Sequence, residues 1–195
     1  MTNFVFDVDG TLTPSRGRMD EGFKRFFLKF IKDHAVYLVT GSDYHKTVEQ
    51  VGAEVTESVE KVFNCSGNSI WKNGENIFNT DWTMPKDAKG WCNTKLSESA
   101  FTLRTGNHLE ERPGLVNFST IGRGCNLEQR QMYVEFDEKA REREILAKEF
   151  NDMFPGMTAQ VAGETGLDII PAGKDKRQVA GMIEGPITFF GDKME

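Results

Sequence analysis

Two carboxylates one residue apart stand near the start of the chain, in Asp7-Val8-Asp9-Gly10-Thr11. At i and i+2 of an extended segment both side chains leave the backbone on the same side. One can attack phosphorus as a nucleophile while the other gives and takes a proton. The pair also attracts a hard, oxygen-seeking cation such as magnesium, which offsets the repulsion between carboxylates and an incoming phosphate. Gly10 lets the chain turn sharply straight afterwards. An Asp-rich turn that only caps a helix is the competing reading, and the Phe4-Val5-Phe6 run in front of the motif argues against it. Three weaker candidates follow. Thr40, in Thr40-Gly41-Ser42-Asp43, offers a hydroxyl beside backbone N–H groups ahead of a helix, which suits phosphate oxygens but also suits an ordinary cap. Lys176, in Gly173-Lys174-Asp175-Lys176, could neutralise phosphate and nucleophile together, or sit in a solvated charged loop. Asp192, after Phe189-Phe190-Gly191, could complete a magnesium site, or cap a helix.

The elements that must position these residues are legible from apolar spacing. Residues 3–8 form a short apolar run that ends in carboxylates and predict a buried strand. Asp20 precedes Phe23, Phe26, Phe27, Phe30 and Ile31, which recur at helical spacing. Residues 35–39 predict a second buried strand ending at Thr40, with Asp43 as the cap of the next helix, and residues 61–64 a third strand. Strand–helix–strand order indicates a parallel α/β sheet, which places chemistry at the carboxyl ends of its strands. Asp7, Asp9 and Thr40 all fall there. Asn73-Gly74 within 69–78 predicts a hairpin. From about Trp82 the chain turns polar and irregular. Within that stretch residues 115–120 and 167–171 predict strands, and 141–154 a helix with Ile145, Leu146, Phe150, Met153 and Phe154 on its apolar face, stopped by Pro155-Gly156. Residues 178–183 predict a further helix and 187–190 a last buried strand, so the sheet resumes after an insert.

With 195 residues, 38% hydrophobic and 11% aromatic, the composition is globular. No stretch approaches the ~20 apolar residues that span a bilayer. The start of the chain lacks the basic and apolar segments of a signal peptide, so a cytoplasmic location is expected. A net charge of −6 argues against a nucleic-acid surface. Cys65, Cys92 and Cys125 have no paired spacing, and with only three histidines a structural zinc site is not expected.

A DxDGT motif, then a hydroxyl residue, a lysine and a strand-end aspartate, in that order, resemble the haloacid dehalogenase superfamily. Five segments narrow this: FVFDVDGTLTPSR, TGSDYHKTVEQVG, RPGLVNFSTIGRGC, LDIIPAGKDKRQ and ITFFGDK are similar to eukaryotic-type phosphomannomutase. The similarity is collinear over most of the chain and poor over about 80–110. The resemblance implies an α/β fold with a Rossmann-like parallel-sheet haloacid dehalogenase core, at 1–81 and 174–195, and an inserted α/β cap domain at 82–173. It implies Asp7 as nucleophile and Asp9 as acid and base, with Thr40 and Lys176 in the catalytic set. It implies Mg2+ held by Asp7, the Asp9 carbonyl and Asp192. Arg112, Arg123 and Arg130 match cap arginines that grip a sugar's distal phosphate; Arg16 joins the substrate contacts, and Asp168 matches a carboxylate that meets sugar hydroxyls. Arginine's planar fork fits that task.

The implied activity is conversion of mannose 6-phosphate to mannose 1-phosphate through an aspartyl-phosphate. The partner would be a small-molecule sugar phosphate, neither nucleic acid nor membrane, with a homodimer through the cap. Three departures qualify the match. Thr40 stands where the family commonly has glycine and related phosphatases have threonine. Gly166 stands where the family has serine. The sequence ends soon after Asp192, whereas the family continues with further acidic residues and closing core elements. The alternatives are a magnesium-dependent sugar-phosphate phosphatase of the same superfamily and a catalytically dead regulatory domain.

Overall fold

The computed structural model describes residues 2–14 and 17–192. In chain order the strands and α-helices are β1 (Asn3–Asp7), α1 (Glu21–Asp33), β2 (Ala35–Val39), α2 (Tyr44–Val51), α3 (Ala53–Ser58), β3 (Lys61–Asn64), β4 (Ser69–Lys72) and β5 (Glu75–Asn79). There follow α4 (Lys86–Glu98), β6 (Leu109–Arg112), β7 (Leu115–Phe118), α5 (Leu127–Ala140), α6 (Glu142–Met153), β8 (Met157–Ala162), β9 (Gly166–Pro171) and β10 (Ile187–Phe190). They fall into two compact units, Met1–Thr80 with Lys174–Glu195, and Asp81–Gly173.

The first unit is built on one sheet in the order β10-β1-β2-β3-β4-β5. Its first four strands are parallel, and the β4–β5 hairpin is antiparallel. Asn73 and Gly74, both at positive φ, make the hairpin turn. The central strands are apolar on both sides because both sides are covered. Val36, Leu38 and Val62 pack with Phe27 and Ile31 of α1, Val51 of α2 and Val55 of α3. On the other side Val5, Val39 and Phe63 meet Val179 and Ile183. Asp20 caps α1 by accepting from the Phe23 N–H, and Asp43 caps α2 by accepting from the Lys46 N–H. β10 corrects the expectation of a buried last strand. It lies at the sheet edge with Thr188, Phe189 and Phe190 exposed, although Phe190 stacks on Phe6. Of residues 178–183, expected as a helix, 178–182 belong to a 3₁₀ helix at Lys176–Met182 and Ile183 is extended.

The second unit has an antiparallel sheet in the order β6-β7-β9-β8. Val116, Phe118, Ala159, Leu167 and Ile169 share one face and pack on Ala88 and Cys92 of α4 and Leu146, Ala147 and Phe150 of α6. Much of this unit was expected to be irregular, yet it holds α4, β6, α5 and β8. The apolar face of α6 is also narrower than its spacing suggested, since Ile145 and Met153 are exposed. No helix among the described residues is long and apolar enough to cross a membrane.

One loop of this unit is closed by a run of backbone contacts, with the Thr105 hydroxyl also donating to the Ile121 carbonyl. The Thr105 N–H donates to the Ile121 carbonyl, and the Arg123 and Gly124 N–H groups donate to the Asn107 and Thr105 carbonyls. Gly122 has φ +90°, and a Cβ there would lie 1.9 Å from the Thr105 oxygen. Gly122→Ala must therefore open the loop. Strain of this kind costs roughly 2 kcal/mol or more, which lowers the melting temperature by about 4–8 °C in a chain of this size. Thermal melting of the variant checks it; an unchanged Tm would mean that the loop yields freely.

Candidate active site

β1 ends at Asp7, so its carboxylate emerges at the carboxyl edge of the parallel sheet. It is 9% exposed, and its Oδ1 accepts from the Val8 N–H at 2.8 Å. Lys176 Nζ donates to both of its oxygens, at 3.0 and 2.9 Å. The lysine is placed by the residue before it. Asp175 caps the 3₁₀ helix by accepting from the Arg177 N–H, and the Arg177 guanidinium holds the Asp175 carboxyl below the usual carboxylate range.

The loop after β1 is compact. Thr13 N–H donates to the Val8 carbonyl and Gly10 N–H to the Thr13 carbonyl, which turns Asp9 back over the strand end. Gly10 has φ +79°, and a Cβ there would lie 2.6 Å from Oδ2 of Asp192. That contact brings Asp192 against the Asp9–Gly10 turn. The adjacent strands run in register, Phe6 beside Phe190, so both carboxylates leave the sheet at the same edge.

Thr40 is buried. Its Oγ1 accepts from the Ser42 N–H at 3.1 Å, which fixes the oxygen and leaves the hydroxyl proton to donate. The loop is braced from β3: the Cys65 N–H donates to the Ser42 carbonyl, the Ser66 N–H to the Thr40 carbonyl, and Asn64 Nδ2 to the Ser42 carbonyl and Thr47 Oγ1. Cys65 and Ser66 both take positive φ, an unfavoured conformation for side-chain-bearing residues. Gln178 Nε2 ties the Ser66 carbonyl to the turn that carries Lys176. The ends of β1, β2 and β3 and the turn that carries Lys176 are thus bonded into one frame around Asp7.

Asp7 and Asp192 could hold a metal at this edge, and the family resemblance adds the main-chain carbonyl of Asp9 to the set. Among the described residues no cluster of three or more His, Cys, Asp or Glu side chains is assembled. An all-oxygen set with two carboxylates fits magnesium, which fills its octahedron with water and phosphate oxygens. Cys92 is a poor rival as nucleophile, because burial pushes its thiol up to about 12.

In the second unit, Glu110, Asn117, Asp168 and Gln160 lie in one row across the sheet and therefore on one face, opposite the helices. Glu110 Oε2 receives both Arg112, at 3.0 Å, and Arg123, at 2.7 Å. Two of the expected arginines thus converge on one carboxylate. Arg130 is placed apart from them, on α5, where it pairs with Glu164 at 3.3 Å and approaches Cys125 Sγ. Asp168 accepts from Asn117 Nδ2 at 2.7 Å. A Cβ on Gly166 would lie 2.8 Å from that same nitrogen, so Asn117 occupies the room a side chain at 166 would need. Arg16 lies outside the described residues. Asn117, Glu110 and Gln50, a buried neighbour of Asp9, were missed in the sequence because amides and single carboxylates carry no spacing signal.

The sequence model of eukaryotic phosphomannomutase matches residues 23–195. The chain belongs to the eukaryotic phosphomannomutase family. A phosphomannomutase from Encephalitozoon cuniculi is 32% identical over 98% of this chain and 79% of its own length. One from Saccharomyces cerevisiae is 32% identical over 98% of this chain and 80% of its own length. The fold is that of haloacid dehalogenase-like proteins. A solved haloacid dehalogenase-like hydrolase from Bacteroides thetaiotaomicron superposes with a TM-score of 0.58 at 12% identity, over 98% of this chain and 81% of that one. The C-terminal domain of a trehalose-6-phosphate phosphatase from C. albicans gives 0.61 at 15% identity, over 91% of this chain and 59% of that one. Within the phosphomannomutase family this chain therefore presents an Asp7–Lys176 pair at a strand end and an Arg112–Glu110–Arg123 cluster on a sheet face.

Proposed function

We propose that this member of the family is a magnesium-dependent phosphotransferase that interconverts mannose 6-phosphate and mannose 1-phosphate through an aspartyl-phosphate on Asp7. The observation that carries the reading is Asp7 held by Lys176 at the carboxyl edge of the sheet, in a chain that matches phosphomannomutases along almost its whole length. An Asp7 oxygen attacks phosphorus of a hexose bisphosphate, the bond from phosphorus to the sugar oxygen breaks, and Asp9 gives that oxygen its proton. In the reverse half, a hydroxyl of the hexose monophosphate gives its proton to Asp9 and attacks the aspartyl-phosphate, which restores the Asp7 carboxylate. The sugar turns around between the halves, so each of its ends is gripped in turn. Lys176 spreads the charge on Asp7 and the transferring phosphoryl group, and the Thr40 hydroxyl donates to its oxygens. Asp7, the Asp9 carbonyl and Asp192 would hold magnesium, which would supply charge neutralisation at the phosphate. The small-molecule sugar phosphate is the partner in this reading, which also places the protein in the cytoplasm as a homodimer formed through the cap.

Arg112 and Arg123 are assigned to the phosphate that is not transferred, with Arg130 and Arg16 as further substrate contacts and Asp168 on the sugar hydroxyls. Glu110 is then a stand-in anion that gives way to phosphate. The test is Arg123→Ala. A charge-assisted contact to phosphate contributes roughly 1.5–3 kcal/mol, so apparent affinity for hexose phosphates falls about ten- to a hundredfold. Turnover of p-nitrophenyl phosphate, which has no second phosphate, changes little. Equal losses with both substrates would make Arg123 a support of the fold, and no loss would make it a surface charge.

The hydroxyl of Thr40 favours a second reading, a sugar-phosphate phosphatase in which water takes the phosphoryl group from Asp7. Phosphorus NMR of the wild-type reaction separates the two. The mutase yields mannose 1-phosphate from mannose 6-phosphate in the presence of a bisphosphate primer, whereas the phosphatase yields inorganic phosphate.

A further inference from the structure

Gln50 lies on α2, is 2% exposed, and sends its Nε2 to Oδ1 of Asp9 at 2.8 Å and towards Thr13 Oγ1 at 3.4 Å. Its main chain is anchored as well, since its carbonyl accepts from the Met19 N–H at 2.7 Å. Its Oε1 is buried and, among the described residues, without a hydrogen-bond partner. A polar atom in that state costs roughly 1–3 kcal/mol, so a leucine or methionine here would suit the fold better. Asp9 is the group that the proposed reaction protonates and deprotonates. A carboxylate wants a donor beside it, and a primary amide supplies one without adding a charge.

We propose that Gln50 is the positioning residue for Asp9: its N–H donates to Oδ1 and holds the carboxylate in one orientation over the strand end. The proposal rests on Asp9 as acid and base, as stated above, but not on mutase over phosphatase. It also explains why a glutamine, and not an apolar side chain, is buried on that face of α2.

Asp9 matters most when the departing oxygen needs a proton. General acid catalysis contributes roughly 10²–10⁴-fold, and losing its orientation removes part of that. Gln50→Met keeps the volume and removes both polar edges. Single-turnover phosphorylation of the magnesium-loaded protein is followed with two donors, a hexose 1,6-bisphosphate and p-nitrophenyl phosphate, whose phenolate leaves without help. The expected result is at least about a tenfold greater loss of rate with the sugar donor than with the phenolic one, KM for the sugar unchanged within about twofold, and partial recovery in Gln50→Asn, which keeps the amide donor on a shorter stem. Equal losses with both donors, or none, would overturn the proposal. So would a Gln50→Met variant that loses its sugar-phosphate KM together with its Tm. A wild-type chain that phosphorylates Asp7 from neither donor would overturn the proposed function and Gln50's role together, whereas a phosphatase outcome leaves the comparison intact.

Discussion

Asp7→Asn is expected to bring phosphoryl transfer below detection. The variant keeps the shape of the side chain and one hydrogen-bonding oxygen, so β1 still ends in the same turn; what it loses is a nucleophilic oxyanion. Phosphate monoesters resist water so strongly that enzymes accelerate their cleavage by up to ~10²¹-fold. Positioning and charge neutralisation survive in the variant, but the covalent route does not. Lys176, whose side chain is 40% exposed, can be hydrated once its ion pair is gone, so the fold should persist. Rapid quench with labelled hexose bisphosphate and circular dichroism check the two halves of this expectation. A labelled protein from the asparagine variant, or a fluoride-metal phosphate mimic bonded to a different residue, would move the nucleophile elsewhere.

Chelation should produce the second large effect. Excess EDTA is expected to silence the wild type with any phosphate donor, and added magnesium to restore it. The physical reason is local. The Asp7 and Asp192 carboxylates leave neighbouring strands at one edge, and a phosphate brings further negative charge to them. Lys176 is a single positive charge set against all of these. A divalent cation removes the remaining repulsion without any proton transfer. Asp192→Ala should raise the magnesium concentration for half-maximal rate by more than the ~10-fold that even an outer partner of a metal ligand contributes. Full turnover in EDTA would remove the metal from the mechanism. An Asp192→Ala variant with unchanged magnesium response would remove Asp192 from the donor set.

Sequence reading succeeded where one physical demand dominated. β1, β2 and β3 are short apolar runs because both faces of the central sheet are covered, and the residues at their ends could be named from that alone. It failed where the demand was divided. Among its buried side chains α4 has only the small Ala88 and Cys92, and α5 has Tyr133 together with the charged Asp137, so neither helix shows a stripe. β6 reads Leu-Glu-Glu-Arg, a strand whose charges serve an anion cluster and not a core. β10 misled in the other direction, since Ile-Thr-Phe-Phe looks buried but lies at an edge. Residue type likewise could not divide the arginines. Arg112 and Arg123 share Glu110 while Arg130 pairs with Glu164, and only the register of β6 against β7 and the backbone clasp around Gly122 decide this. Gln50 was beyond reach for a similar reason: its role is defined entirely by the neighbour its amide meets.

The order of synthesis gives the strand arrangement a consequence of its own. β1 leaves the ribosome before every other strand of its sheet, yet its parallel neighbour β10 comes at Ile187–Phe190, and the lysine that holds Asp7 is 169 residues downstream of it. At roughly 5–20 residues per second, the nascent β1 spends on the order of ten seconds with one edge unpaired and Phe4 and Phe6 without Phe190. The unit at Asp81–Gly173 is contiguous and emerges whole during that interval. The growing chain therefore carries an aromatic strand edge exposed to mispairing until β10 arrives. Asp7 stays without its lysine for almost as long, so its ion pair forms only after the whole second unit has been made.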